Sequence, residues 1–329
     1  MATPVLEAAL ADARYAEVVI VLREHLARVL EDGPCAAHLA SVKSDKDEIA
    51  LYRALAPDAV LLLPNSFGSA WRAFRAGVKP RAGSALHGRR FLLQKSFAPR
   101  MRAGRRIDSP TAELQRDVAA LFDIRVPDLH PHLHVRDELV REERARLERL
   151  GVDLARGYVL CCPGAAYGAA KLWPVEHFAA ALDGLFERHG WRAVVTGGPG
   201  EEALCDEVAR LTRHGAVSLS SEPRDLARLK ALVRESRLML VGDSGPRWYA
   251  AAFDVPCVSV MGPNDPGLTA TSLEHARIVR RTDLECSPCM QRVCPLGHHA
   301  CMRELPPQRV LEAAEQLLVQ SPHDAIGPR

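Results

Sequence analysis

Two strand-to-helix turns carry residue types suited to a phosphorylated ligand. The first, Pro163-Gly164-Ala165-Ala166-Tyr167-Gly168-Ala169-Ala170-Lys171-Leu172-Trp173-Pro174, follows the apolar run Tyr158 to Cys162 and delivers one lysine among small residues. Small residues let phosphates approach the backbone, and a lysine ammonium neutralises charge that collects on a departing diphosphate. The second, Gly242-Asp243-Ser244-Gly245-Pro246, lies between the apolar run Leu238 to Val241 and an alanine-rich helical stretch. Its glycines permit a tight turn, so Ser244 and the first free helix N–H groups can meet a phosphate or a ribose hydroxyl. Asp243 has two readings, a helix cap or a cap that also positions ligand. Neither turn is a P-loop, because the Gly-Lys-Ser/Thr step is missing, and the Gly197 to Gly200 turn lacks the spacing of a dinucleotide fingerprint.

A second concentration of chemistry lies near the C-terminus. Cys286, Cys289, Cys294 and Cys301 fall within a loop spanning 283–303, with His298 and His299 beside them. Thiolates at this density, opening with a Cys-x₂-Cys step, suit a structural zinc or an iron–sulfur cluster; reduced unliganded thiols and redox-dependent disulfides are the other readings. Cys35, Cys161, Cys162, Cys205 and Cys257 are scattered through helical or strand patterns, where free cysteines are normally buried. His130, His132 and His134 alternate in a Pro/His-rich stretch without a carboxylate pattern and read as linker residues.

The two turns need a strand before them and a helix after them. Tyr158 to Cys162, Ala193 to Thr196, Val217 to Leu219, Leu238 to Val241 and Val255 to Met261 read as strands. Helical patterns separate them, starting near Pro174, Glu201, Arg224 and Pro246. That alternation predicts a parallel sheet covered on both faces, an α/β domain over 156–329 that also holds the cysteine-rich loop and a final helix. The first half repeats the theme less regularly: strands at Glu17 to Leu22 and Ala59 to Leu63, helices at Phe67 to Ala76, Thr111 to Phe122 and Glu138 to Leu150. The division expected is 1–135, a linker helix region 136–155, and 156–329.

The formal charge of +2, from 43 basic and 41 acidic side chains, leaves no electrostatic footprint for nucleic acid. The stretch Lys79 to Arg106 nevertheless carries nine Arg or Lys and no acid, which reads either as a solvated loop face or as a surface for an anionic partner or lipid headgroup. No run reaches the roughly 18 apolar residues of a membrane span, and no secretory signal opens the sequence, so the expected location is cytoplasmic.

Four blocks in order resemble the inverting glycosyltransferases that include the ADP-heptose:lipopolysaccharide heptosyltransferases, the heptosyltransferase II branch above all. They are Ala2-Thr3-Pro4-Val5-Leu6, Leu62-Leu63-Pro64-Asn65-Ser66-Phe67, the Pro163 to Pro174 turn, and Asp243-Ser244-Gly245-Pro246 leading into Ala250-Ala251-Ala252. The resemblance implies the GT-B architecture, two Rossmann-like domains with parallel sheets. It implies transfer of heptose from ADP-heptose to the anionic inner core of lipopolysaccharide, with no cofactor required and with peripheral contact at the cytoplasmic face of the inner membrane. Gly164, Ala165, Ala166 and Lys171 would contact the diphosphate, Asp243, Ser244 and Gly245 the nucleotide or sugar, and Asn65 and Ser66 the acceptor. Lys171 and Asp243 would serve catalysis.

Two departures from the family pattern matter. Trp248 stands where relatives usually have histidine, which removes a polar contact to the donor and leaves its identity open. Relatives also place a strand and a Gly-Asp turn ahead of the Ala-Thr-Pro segment, and that aspartate is the proposed general base. Here it would fall before Met1, so the expectation is a natural protein that starts earlier, with the first strand of the N-terminal domain missing from this sequence. A related glycosyltransferase using another nucleotide sugar, and a non-catalytic nucleotide-sugar-binding protein, are the alternative functions.

Overall fold

Short apolar strands that alternate with one-sided helices bury both faces in a parallel sheet flanked by helices, and the second unit takes that form in full. The computed structural model of the chain describes residues 1–107 and 109–320. These divide into one unit of 1–134 with 267–271 and a second of 135–266 with 272–329, of which 272–320 are described.

The first unit runs α1 Thr3–Ala11, β1 Ile20–Arg23, α2 Glu24–Leu30, β2 Leu39–Val42, α3 Asp45–Leu55, β3 Val60–Leu62, α4 Phe67–Arg75, β4 Arg81–Ser84, β5 Lys95–Phe97, β6 Met101–Arg102, β7 Arg105–Arg106 and α5 Thr111–Ala120. β1 and β2 pair in parallel, β3, β4 and β5 form a parallel three-stranded sheet, and β6 and β7 pair antiparallel. Ser44 caps α3 through a reciprocal capping box with Asp47. α1 packs Val5 and Ala9 against Ala119, Ile124 and Val126. One of the histidines read as linker is tied to α1, for His132 N–H donates to Thr3 Oγ1 at 2.9 Å and its Nδ1 lies 2.7 Å from the Glu7 carboxylate.

The second unit runs α6 Asp137–Arg149, β8 Tyr158–Cys162, α7 Val175–His189, β9 Arg192–Val195, α8 Glu202–Leu211, β10 Val217–Ser218, α9 Leu226–Glu235, β11 Leu238–Gly242, α10 Arg247–Ala252, β12 Cys257–Val260, β13 Ala276–Val279, α11 Ala300–Arg303 and α12 Pro307–Gln320. Its six strands are all parallel, in the order β10-β9-β8-β11-β12-β13, the doubly wound arrangement of a Rossmann fold. β8, β11 and β12 are buried along their whole length, as central parallel strands must be. The segment read as a linker helix region contributes α6 to this unit, where Leu139 and Val140 pack on Ala227 and Ala231 of α9. Cys161, Cys162, Cys205 and Cys257 are buried, and burial pushes the Cys205 and Cys257 thiols up to about 12, so none is a nucleophile at neutral pH.

Candidate functional site

β8 and β11 are neighbours in the sheet although two strands separate them in sequence, so the strand order reverses between them. Loops leaving the carboxyl ends of such strands diverge and open a crevice, the usual place for a nucleotide in this topology. The two turns singled out above are those loops: Pro163 to Pro174 follows β8, and Gly242 to Pro246 follows β11.

Lys171 joins them. A single 3-10 turn, Ala169–Lys171, sends its side chain across the crevice. There the ammonium lies 2.8 Å from Asp243 Oδ2 and donates to the Asp243 carbonyl at 3.1 Å. Lys171 is only 8% exposed, and its Nζ also sits 4.6 Å from the centre of the Tyr167 ring. The cation is thus held by a carboxylate, a carbonyl and an aromatic face, which fixes its position before any ligand arrives. Asp243 does not cap α10; that helix starts at Arg247 after Pro246, and the Asp243 carboxylate turns to Lys171 instead.

The cysteine-rich loop forms the far wall of the Lys171 turn. Ala170 N–H donates to the Arg292 carbonyl at 3.0 Å, Tyr167 Oη donates to the Met290 carbonyl at 2.9 Å, and His299 Nε2 donates to the Ala170 carbonyl at 2.8 Å. The Arg292 guanidinium lies 5.1 Å from the Tyr167 ring centre. Gly168 makes this closeness possible, because a Cβ there would sit 2.5 Å from the Arg292 carbonyl oxygen, on a backbone with φ of +153°. Gly168→Ala is therefore expected to displace the Lys171 turn and to destabilise the second unit by about 1–3 kcal/mol, the usual cost of overpacking; urea denaturation beside the wild type checks it.

Gly164 serves a similar close approach on the other side, where its Cβ would meet the Glu201 carboxylate at 2.1 Å. That carboxylate accepts from Gly198 N–H at 2.8 Å, a bond within the turn after β9, and packs close against Gly164 of the turn after β8. Ala165 is half-buried and Ala166 exposed. Ser244 and Gly245 follow Asp243, Ser244 half-buried and Gly245 exposed, and the Gly245 carbonyl accepts from Trp248 N–H at 3.0 Å. The buried Arg247 lays its guanidinium 4.5 Å from the Trp248 ring centre, and burial lowers its pKa. Sequence reasoning missed Tyr167, Arg247 and Arg292. Arg247 carried a readable signal, a cation immediately after the Gly-Asp-Ser-Gly-Pro turn; Arg292 carried none, because only the fold returns its loop to Tyr167.

Asn65 and Ser66 lie in the first unit, at the turn between β3 and α4. Ser66 caps α4, its Oγ accepting from Ser69 N–H at 3.2 Å, and Asn65 Oδ1 accepts from Ser84 Oγ at 2.9 Å. Behind them Arg89 is 0% exposed and donates to the carbonyls of Pro64, Ser66 and Ser84 and to the hydroxyls of Ser69 and Ser84. Arg81 is buried too, donating to the carbonyls of Leu92 and Val78. Two of the nine cations read as a basic surface are thus internal clamps.

Cys286, Cys289, Cys294 and Cys301 line one small pocket with His298, His299, Ala170 and Pro263, and none of the four is in a disulfide. Among the described residues no three His, Cys, Asp or Glu side chains are arranged to hold a metal ion. The backbone N–H groups of His299, Leu296 and Gly297 pull the Cys294 thiol below the usual range, while burial and the neighbouring thiols push Cys301 up to about 11. Iodoacetamide at neutral pH should accordingly alkylate Cys294 well before Cys301, which peptide mass mapping would reveal; equal labelling would contradict this order.

Residues 50–300 match the family model described as glycosyltransferase family 9 (heptosyltransferase). The chain is 33% identical over 164 residues to lipooligosaccharide heptosyltransferase 2 of Campylobacter jejuni, an alignment covering 48% of this chain and 50% of that protein. It is 28% identical over 278 residues to lipopolysaccharide heptosyltransferase 2 of Escherichia coli, covering 80% and 76%. The chain thus spans about half the length of the Campylobacter relative and about three quarters of the Escherichia one. In fold it superimposes on the structure of E. coli ADP-heptose lps heptosyltransferase II with a TM-score of 0.75 and 23% identity, over 97% of this chain and 95% of that one. The fold is therefore the parallel-sheet GT-B type expected from the four sequence blocks. A family match of that extent, laid over a Rossmann unit whose crevice holds a preset lysine, establishes the chain as a member of glycosyltransferase family 9, the heptosyltransferases.

Proposed function

We propose that the chain transfers heptose from ADP-heptose to the inner core of lipopolysaccharide, inverting the anomeric centre without a glycosyl-enzyme intermediate. The observation that supports it most is the Lys171 ammonium held against Asp243 at the β8/β11 switch point, where a donor diphosphate would lie. In the reaction the anomeric carbon–oxygen bond to the diphosphate breaks as an acceptor hydroxyl oxygen bonds to that carbon from the opposite face. The acceptor proton leaves to a base, and ADP departs with the bonding pair. Lys171 and the backbone of Gly164, Ala165 and Ala166 would take up the charge growing on ADP. Asp243 would hold Lys171 in place, with Ser244, Gly245 and Trp248 beside the nucleotide or sugar. α10 is only six residues long, so its helix dipole adds little, and the lysine carries most of the charge stabilisation. Asn65 and Ser66 would receive the acceptor sugar.

The test is incubation with ADP-heptose and a heptose-deficient lipopolysaccharide core, following ADP release and the mass of the glycan. A core heavier by one heptose supports the reading. Turnover only with another ADP- or UDP-sugar would replace it by a related transferase, as Trp248 in the usual histidine position allows. Tight donor binding without turnover would favour a non-catalytic binding protein.

The cysteine loop carries a separate proposal, a structural zinc or iron–sulfur group held by Cys286, Cys289, Cys294 and Cys301. It is supported by the single pocket the four sulfurs line and by the backbone N–H groups that favour the Cys294 thiolate. Since the thiols as they stand form no ligand set, binding would have to draw them inward. Elemental analysis of anaerobically purified protein and of Cys289→Ser decides it: metal in the first and not in the second supports it, and metal in neither overturns it.

A further inference from the structure

α4 is turned the opposite way from most surface helices. Its buried face is made of small residues, Ser69, Ala70 and Ala73, while Phe67, Trp71 and Phe74 are 41%, 41% and 44% exposed. These three fall at i, i+4 and i+7, so they form one stripe along the helix. The rings touch in sequence, with centres 6.2 Å apart for Phe67 and Trp71 and 5.5 Å for Trp71 and Phe74. Phe91, 73% exposed, extends the ladder from the neighbouring turn Arg90–Leu92, 6.1 Å from Phe67. Four large aromatic side chains in one contiguous exposed row are a patch that water alone does not favour.

The rim of the row is basic. The Arg75 guanidinium lies 6.0 Å from the Trp71 ring centre, and the exposed Arg90 adjoins Phe91. Lys79 is exposed just beyond the end of α4, and no acid occurs between Lys79 and Arg106. Asp45 and Glu48 of the neighbouring α3 are engaged by Arg72 and Arg23. A symmetric pairing of two copies through this row would bring Arg75 and Arg90 of each against those of the other, an arrangement without a neutralising partner. An anionic bilayer surface matches both parts: aromatic rings settle at headgroup depth, and arginines pair with phosphates there. No helix among the described residues is long and apolar enough to cross a membrane, so such contact would stay at the interface.

We infer that the Phe67-Trp71-Phe74-Phe91 row is a docking surface for an anionic phospholipid bilayer. It deepens the functional reading above, on which the acceptor is lipid-anchored, because α4 starts directly at Ser66 and docking would place the Asn65-Ser66 turn at the membrane surface. The whole chain is sedimented with vesicles of phosphatidylglycerol and phosphatidylcholine, and with phosphatidylcholine alone. Binding to the anionic vesicles is expected to fall at least tenfold in a Trp71→Ser/Phe74→Ser/Phe91→Ser variant, and the Trp71 emission of the wild type should shift to shorter wavelength on those vesicles. Trp71→Phe should keep the binding and lose the shift, since the other three tryptophans, Trp173, Trp191 and Trp248, all belong to the second unit. A thermal melt of the triple variant within a few degrees of wild type confirms that it is folded, as substitutions at exposed positions should be. Equal binding by the triple variant, or wild-type binding without an emission change, overturns the inference. So does a wild-type dimer that the same substitutions dissociate while vesicle binding persists, which would show that a second copy covers the row. Vesicle binding is read without any sugar donor, so failure of heptose transfer leaves this result standing, and the reverse.

Discussion

On the proposed reaction, Lys171→Ala is expected to lower transfer from ADP-heptose by about 10²- to 10³-fold in kcat, the usual cost of removing one preset donor aimed at developing charge. The substitution also strands the Asp243 carboxylate, whose side chain is 12% exposed and whose ion pair is lost. Breaking a buried pair from one side costs on the order of 3 kcal/mol. A lower rate could then reflect a loosened turn rather than lost catalysis, and Lys171→Ala/Asp243→Asn separates the two. The double variant removes the stranded charge, so its melting temperature should recover most of the loss. Its rate should stay as low as that of the single variant if the ammonium serves the departing ADP. Recovery of rate together with stability would show that Lys171 only holds the turn. The double-mutant cycle is valid here because the two side chains touch directly.

The largest expected effect on stability lies in the other unit. Arg89→Met should destabilise the fold by about 3–5 kcal/mol, because it removes a fully buried cation and leaves its acceptors to face an apolar side chain. Those acceptors are the carbonyls of Pro64, Ser66 and Ser84 and the hydroxyls of Ser69 and Ser84, all neutral oxygens. Burial without a carboxylate lowers the Arg89 pKa to about 10, still well above neutrality, so the guanidinium stays charged in working conditions. Gly83 leaves it room, with a Cβ at that position only 3.0 Å from Arg89 Nη2. Arg89→Lys should recover little, since one ammonium cannot reach acceptors on both sides of the β3–α4 turn. Urea denaturation measures the loss. ADP titration of the folded variant should change little, because every residue named at the donor turns belongs to the second unit. A loss below about 1 kcal/mol would mean that water satisfies these acceptors when the guanidinium is gone.

How far the sequence reads depends on how local each signal is. The second unit was legible because its strands are short apolar runs set between helical patterns, and Tyr158–Cys162 begins and ends where the pattern does. In the first unit β4 is Arg-Ala-Gly-Ser and β2 is Leu-Ala-Ser-Val, fragments with little β-branched or aromatic content. They are strands because the parallel sheet needs neighbours there, which is tertiary demand overriding local preference. α3 was overlooked although Ser44 and Asp47 form its capping box, a signal that sequence reading can use.

The basic stretch shows the reverse error. Nine cations without an acid read as a surface, yet Arg81 and Arg89 are buried and hydrogen-bonded to carbonyls. Charge counts cannot tell a solvated guanidinium from a clamped one, because the difference lies in the oxygens that the fold brings to it.

The make-up and placement of the two turns were legible in sequence alone: small residues, one lysine, and a Gly-Asp-Ser-Gly step, each set between a strand and a helix. Tertiary structure decided how they work together. Strand order placed β8 beside β11, and only that adjacency lets Lys171 reach Asp243 rather than solvent and turns Asp243 from a helix cap into a lysine's partner. The return of the cysteine-rich loop supplied Arg292 and His299 to the same turn, more than a hundred residues away in the chain. Local residue choice specifies a turn's shape and chemistry; which turns meet is set by sheet order, which depends on packing across the whole unit.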